Sequence, residues 1–200
     1  MTLQSPTAVR PKLSMPAAEA EALCSAYAEA QVVLEYGAGG STLVGAEGAG
    51  KTVFSVESDP AWVARLQGWF AANPPGAKVH LHHVDIGPIQ SWGQPAGDSH
   101  WRNWVSYPFS VWDRPDFIQP DVVLIDGRFR VACFMAVLAG IDRPVTVLFD
   151  DYVNRPAYHR VERLVSPVGT IGRMALFEIE PRPLPPQALR WIAESIAQPD

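Results

Sequence analysis

A doubly wound α/β sheet of seven strands, mostly parallel and with helices on both faces, is the fold class that this 200-residue chain predicts. Three observations carry the prediction. Short β-branched runs at Gln31–Gly37, Thr52–Ser58, Lys78–Ile86, Asp121–Gly127 and Pro144–Asp151 alternate with helical stretches. Runs such as "DVVLIDG" are almost continuously apolar, so both sheet faces must be covered. Ser166–Pro181 reads as two further strands joined by a Gly-containing turn, a C-terminal antiparallel pair.

Each element has a local cause. After a leader of residues 1–14, Met15–Ala30 is Ala- and Glu-rich and predicts a helix. Gln31–Gly37 feeds a glycine cluster, beyond which Ser41 or Thr42 is placed to cap a short helix through about Glu47, ended by Gly48 and Gly50. Thr52–Ser58 alternates β-branched or aromatic residues with small polar ones, as a strand does. Asp59 followed by Pro60 marks a helix start, and Trp62, Val63, Leu66, Trp69 and Phe70 recur at helical spacing until "NPPG". Residues 87–120 break this rhythm as an irregular insertion rich in Trp, Tyr and Phe. Val131–Gly140 is a nearly apolar helix, and Arg155–Val165 predicts another. Within a C-terminal extension of residues 181–200, Leu189, Ile192 and Ile196 share one face of a last amphipathic helix. One domain spanning residues 1–200 is expected.

Composition narrows the function. With 48% hydrophobic and 18% charged residues and a net charge of -5, the chain reads as a soluble globular protein without the clustered basic residues of a nucleic-acid binder. No segment approaches the ~18 apolar residues of a membrane helix, and the first 16 residues carry no secretion signal, so a cytoplasmic location is expected. Cys24 and Cys133 lie apart in helical stretches and read as small core residues.

"GAEGAGKT" at Gly45–Thr52 fits the phosphate-loop pattern G-x-x-x-x-G-K-[ST] in full. Its context does not. Such a loop lies between a strand and a helix, whereas this one follows a short helix and opens onto "TVFSVES", placing Lys51 at the start of the second strand. A connection between helix and strand is the expectation, and a nucleotide hydrolase the lesser alternative.

"LEYGAGGST" occupies the position a ligand loop needs, at the end of the first strand. A dinucleotide-binding loop would require Gly or Ala at position 42, where the chain has Thr42, and Glu35 repels phosphate while attracting a cation. S-adenosylmethionine, with a sulfonium, an ammonium and no phosphate, satisfies this. Glu57 ends the second strand, where a carboxylate accepts from both ribose hydroxyls, and Asp85-Ile86 follows the third, suiting an adenine.

On "LEYGAGGST", "SVESD", "HHVDIG", "LIDGRFR" and "LFDDY", residues 31–180 resemble class I S-adenosylmethionine-dependent methyltransferases, a Rossmann-like family. The resemblance implies that Glu35, Gly37 and Gly39 hold the methionine portion, Glu57 the ribose and Asp85 the adenine. Tyr36, Gly40, Ser41, Thr42, Ser58, Ile86 and Asp126 complete the expected cofactor contacts. A narrower resemblance to metal-dependent small-molecule O-methyltransferases implies a divalent cation, Mg²⁺, on Asp126, Asp150 and Asp151. Arg128 and Arg130 lie beside Asp126, and pairing of the aspartates with arginine is the competing use.

The insertion falls beside the expected ligand edge and reads as a lid or specificity wall, with Trp92, Trp101 and Trp104 toward an acceptor; a satellite core or a homo-oligomer contact is the alternative. His80 and His82 alternate on one strand face and read as packing or surface residues, which leaves His83 and His100 as general-base candidates. Methyl transfer to a small molecule is therefore expected, against a cofactor-binding protein without transfer activity or an NAD(P)-dependent oxidoreductase.

Overall fold

The computed structural model describes residues 9–199, so residues 1–8 of the leader and Asp200 lie outside the described part. Seven strands form one sheet in the order β3-β2-β1-β4-β5-β7-β6. They are β1 (Val32–Tyr36), β2 (Thr52–Glu57), β3 (Lys78–His83), β4 (Val122–Ile125), β5 (Val145–Phe149), β6 (Gly169–Ile171) and β7 (Met174–Ile179). The first five run parallel, and β7 pairs antiparallel with both β5 and β6. The strand order reverses between β1 and β4, so the crevice beyond their carboxyl ends is the position where open α/β sheets take ligands.

Among the described residues six α-helices accompany the sheet: α1 (Ala17–Glu29), α2 (Gly40–Ala46), α3 (Pro60–Ala72), α4 (Ser106–Phe109), α5 (Arg130–Gly140) and α6 (Ala188–Ile196). One core joins Leu34, Phe54, Ile125, Val147 and Phe177 to α5 and the insertion; the other joins Val33, Val53, Leu124 and Leu148 to α1. Adjacent strand residues face opposite cores, which explains why β1 and β4 are apolar at every position except Glu35. The Asp59 side chain caps α3 by accepting from the N–H groups of Ala61 (2.8 Å) and Trp62 (3.2 Å), with Pro60 in the first turn.

Three expectations need correction. Arg155–Val165 forms a 3₁₀ helix over Tyr158–Arg163 and not an α-helix, a tighter winding that puts Tyr158 and Val161, three apart, on the same side toward the core, with Val165 buried just beyond it. On α6 Ala188 and Ser195 are buried and Ile192 and Ile196 are half-buried against the core, as expected of the latter two, but Leu189 stands 76% exposed. Cys133 is buried as expected, but Cys24 is exposed, on the outer side of α1 from Leu23 and Tyr27. Among the described residues no helix is long and apolar enough to cross a membrane.

Candidate functional site

The phosphate-loop lysine points away from the ligand edge. Lys51 Nζ donates to the carbonyls of Tyr27 and Ala28, the latter at 2.7 Å, and so caps the C-terminus of α1 at the amino end of the sheet. "GAEGAGKT" is a helix-to-strand connection, though its lysine is engaged and not loose on the surface.

The second glycine cluster lies at the switch between β1 and β4. Gly37 has φ +103°, and its N–H donates to Val56 O at 2.9 Å. A Cβ there would stand 2.8 Å from the Gly127 backbone, so both strand ends approach as closely as glycines allow. Gly39 precedes α2, and its N–H donates to Thr42 Oγ1 at 2.9 Å. The Gly40 backbone lies beneath Lys12 and Leu13, so the leader runs across the start of α2.

Glu35 supports this loop from below. Its carboxylate is fully buried and accepts from Tyr27 Oη (2.9 Å) and Ser55 Oγ (2.8 Å), while Ser55 Oγ lies 3.1 Å from Thr42 Oγ1. Burial raises the Glu35 pKa, and hydrogen bonds from Thr42, Ser41, Ser55 and Tyr27 oppose the rise. The chain Tyr27–Glu35–Ser55–Thr42–Gly39 thus locks the loop backbone and leaves Glu35 facing protein instead of an open cleft. The Tyr36 side chain is turned away too: its hydroxyl donates to Pro108 O (2.6 Å) and accepts from Trp112 Nε1 (2.7 Å).

Glu57 is the carboxylate that reaches the edge. One oxygen accepts from the N–H groups of Ser58 (2.7 Å) and Asp59 (2.9 Å), the other from Ala38 N–H (3.2 Å). Burial raises its pKa, against the pull of those three N–H groups. Trp62 Nε1 donates to Ala38 O at 2.7 Å, which fixes the loop against α3. Asp85 is exposed and accepts from Gly87 N–H (2.9 Å), whereas Ile86 is buried in the core and offers no surface to a ligand as it stands.

The insertion covers this edge residue by residue. Ser58 Oγ donates to Gly93 O (3.3 Å), and a Cβ at Gly93 would sit 3.6 Å from a Glu57 oxygen. His100 packs on Gly87, Trp104 Nε1 donates to Ile86 O (3.2 Å), and the Tyr107 hydroxyl lies against Gly127 and accepts from Arg128 N–H (3.4 Å). The three tryptophans expected to face an acceptor therefore separate. Trp104 is a core residue packed on Phe129 (5.5 Å), while Trp92 and Trp101 are 85% and 55% exposed. Trp92 also holds φ +64°, a conformation that a bulky side chain adopts only under constraint.

His80 and His82 are packing residues. His80 stacks on Phe54 at 4.7 Å, and both rings approach the Arg114 guanidinium. Burial lowers both pKa values. His83 is exposed at the end of β3, and His100 Nδ1 lies 2.9 Å from Ser99 Oγ; neither is brought to the glycine loop by a hydrogen bond.

At the ends of β4 and β5, Asp126, Asp150 and Asp151 do come together, each offering an oxygen within 4.8 Å of the others. As they stand they do not fit a divalent cation, because arginines already hold their oxygens. Arg130 Nη2 is 3.1 Å from Asp126 Oδ1 and 3.3 Å from Asp151 Oδ2. Arg173 grips Asp150 through Nη2 (2.7 Å) and Nε (3.1 Å) and reaches Asp151 at 3.1 Å. Burial pushes the Asp126 pKa up to about 7, with Arg130 opposing and the other aspartates reinforcing the shift. Asp151 holds φ +58° in this cluster.

The whole chain closely resembles a solved structure. A methyltransferase-like protein from Silicibacter pomeroyi DSS-3 is 52% identical, with TM-score 0.92 over 95% of this chain and 99% of that one. The chain belongs to this methyltransferase-like family. More distant solved structures share the fold alone. The O-methyltransferase TomG from Streptomyces achromogenes, in complex with S-adenosylmethionine, is 15% identical with TM-score 0.60, over 85% of this chain and 82% of that one. An O-methyltransferase from Bacillus cereus, in complex with S-adenosylhomocysteine, is 15% identical with TM-score 0.52, over 82% of each chain. No protein-family model matches the sequence, and no curated protein does.

Three residues of this methyltransferase-family edge escaped the sequence reading: Gly127, Tyr107 and Arg173. Gly127 had a signal, a glycine directly after a strand-ending acid. Tyr107 and Arg173 had none, since one lies inside an irregular segment and the other in a hairpin turn.

Proposed function

We propose that this chain transfers the methyl group of S-adenosylmethionine to a small-molecule acceptor. The observation that carries the reading is Glu57: a carboxylate at the end of β2, its oxygens oriented by three backbone N–H groups, beside the glycine backbone of β1. A ribose diol is the natural partner of such a group. Asp85, exposed just beyond β3, lies on the adenine side, and Gly37–Gly39 on the methionine side. Glu35 acts one layer below, holding the loop in shape.

Methyl transfer is a displacement at carbon, and the protein's part is to align donor and acceptor and to keep water out. The insertion suits the second task, because it already lies over Glu57, Gly87 and Gly127. Cofactor admission then requires it to lift, making it a gate as well as a wall. Exposed Trp92 and Trp101 offer flat apolar faces to an acceptor once the gate recloses.

Titration calorimetry with S-adenosylmethionine and its demethylated product tests the reading. Binding to the wild type, weakened in Glu57→Ala, is expected; no binding to a folded wild type would overturn it. The packing of Trp104 and Tyr107 into the edge favours one second reading, a protein that keeps the fold and binds cofactor without turning it over. Binding without release of S-adenosylhomocysteine across an acceptor panel would select it.

A further inference from the structure

We propose that the Arg130 guanidinium is the resident cation of the β4–β5 acidic cluster, held where Asp126, Asp150 and Asp151 would otherwise coordinate a divalent metal. The inference concerns this cluster alone and does not depend on which molecule binds at Glu57.

Three carboxylate oxygens within 4.8 Å of one another are the arrangement a hard cation wants. They also form a concentration of negative charge that cannot persist uncompensated in a largely buried place. Arg130 compensates it from the inside. Its side chain is 4% exposed, and Nη2 stands between the Asp126 and Asp151 carboxylates at 3.1 and 3.3 Å. The same nitrogen donates to Asp126 O (3.2 Å), Nη1 to Asp150 O (2.7 Å) and Nε to Gly127 O (3.0 Å). The fork is therefore fixed by the backbone of both strand ends as well as by the acids, much as a metal would be by its ligand shell.

Both Asp150 oxygens and Asp151 Oδ1 are engaged as well. Arg173 binds Asp150 with two nitrogens, and Arg155 Nη2 lies 3.6 Å from Asp151 Oδ2. Three guanidiniums thus face three carboxylates. A divalent ion would have to displace a buried, backbone-anchored cation and accept ligands whose lone pairs already take hydrogen bonds. Arg130 opens α5, Asp126 follows β4, the Asp150–Asp151 pair follows β5 and Arg173 lies between β6 and β7. The arginines tie these elements together without metal, so Arg130 is a positioning residue for the edge.

Mn²⁺ is the probe, followed by electron paramagnetic resonance of the free ion and by melting with Mn²⁺ or with EDTA. For the wild type, free Mn²⁺ is undiminished at millimolar concentration and the melting temperature is the same in both solutions. Arg130→Gln removes the charge and leaves the carboxylates; it melts lower in EDTA, recovers in Mn²⁺, and binds one Mn²⁺ at least about tenfold more tightly than the wild type. Arg130→Lys keeps a cation in place and gains no site. A merely structural arginine would lower melting in Arg130→Gln without any recovery by Mn²⁺, and that result overturns the proposal. So does a wild type that binds one Mn²⁺ and loses it in Asp150→Asn, a readout available even if Arg130→Gln fails to fold.

Discussion

Gly37 and Gly127 meet backbone to backbone where β1 and β4 part, close enough that a Cβ on Gly37 would lie 2.8 Å from the Gly127 nitrogen. Neither chain can move aside without unpairing the central strands, which are registered at Tyr36↔Ile125. With φ at +103°, Gly37→Ala adds left-handed strain to this overpacking, so a loss of roughly 2–3 kcal/mol is expected in urea unfolding. Gly39→Ala, whose added Cβ meets nothing within 4 Å, is the control and should cost much less.

With Glu57 proposed to hold the ribose, the affinity for S-adenosylmethionine should be pH-dependent. Its ionised form is the one that accepts from a diol, and burial raises its pKa, so affinity falls as pH drops and begins to fall above the ordinary glutamate range. Glu57→Gln should bind at least about tenfold more weakly at pH 7.5, the value of one charge-assisted hydrogen bond, and should lose the pH dependence. Calorimetry between pH 5 and 8 reads both effects; an unchanged slope in Glu57→Gln would assign the dependence to another group.

If the insertion gates the cofactor, binding is limited by its opening. In stopped-flow tryptophan fluorescence the observed rate should level off as S-adenosylmethionine rises, and Trp104→Ala, which removes the indole bonded to Ile86 O, should raise the plateau. A rate that stays linear in cofactor concentration for both proteins would rule the gate out.

Lys51→Ala separates the two glycine loops. Loss of the α1 cap should cost roughly 1 kcal/mol in denaturant and leave S-adenosylmethionine affinity unaltered, since Lys51 Nζ reaches the carbonyls of Tyr27 and Ala28 at the far end of the sheet. ATP binding by the wild type, abolished in this variant, would reverse the assignment.

Arg173→Ala leaves the buried Asp150 without its bidentate partner, at a cost of roughly 3 kcal/mol at pH 7. Burial alone would raise the Asp150 pKa, but Arg173 holds it below the usual aspartate range. A lowered folded pKa gives stability that is present above the unfolded value of 3.8 and is lost as pH falls through the folded one. Without the guanidinium the burial effect prevails, so the penalty should shrink toward pH 4, where the aspartate can take a proton. Urea unfolding at the two pH values measures this.

The alternation of strands and helices, the Asp59–Pro60 helix start and the acids at the strand ends were legible because each rests on neighbours in the chain. Period-two and near-continuous apolar runs identify parallel strands, and an N-cap signals itself within four residues. The same local logic was enough to demote "GAEGAGKT", since a phosphate loop is defined by the elements on either side of it. Its actual use, closing α1 through Lys51, was not legible, because the helix end finds its cap 23 positions further along the chain.

What a side chain faces was settled by packing. The position of Glu35 in β1 followed from pattern, but Tyr27 and Ser55 turned it from a ligand contact into a support beneath the loop. The insertion's aromatics carried no period, so nothing local separated Trp104, in the core, from Trp92 and Trp101, in solvent. The aspartates after β4 and β5 and the neighbouring Arg130 announced a charged cluster, whereas the partner of Asp150 came from Arg173, in a hairpin turn placed beside β5 by the β5–β7 pairing. Residue type and periodicity act over one or two turns of chain; a buried charge selects its partner from whatever the sheet brings within about 3 Å, and that is a property of topology.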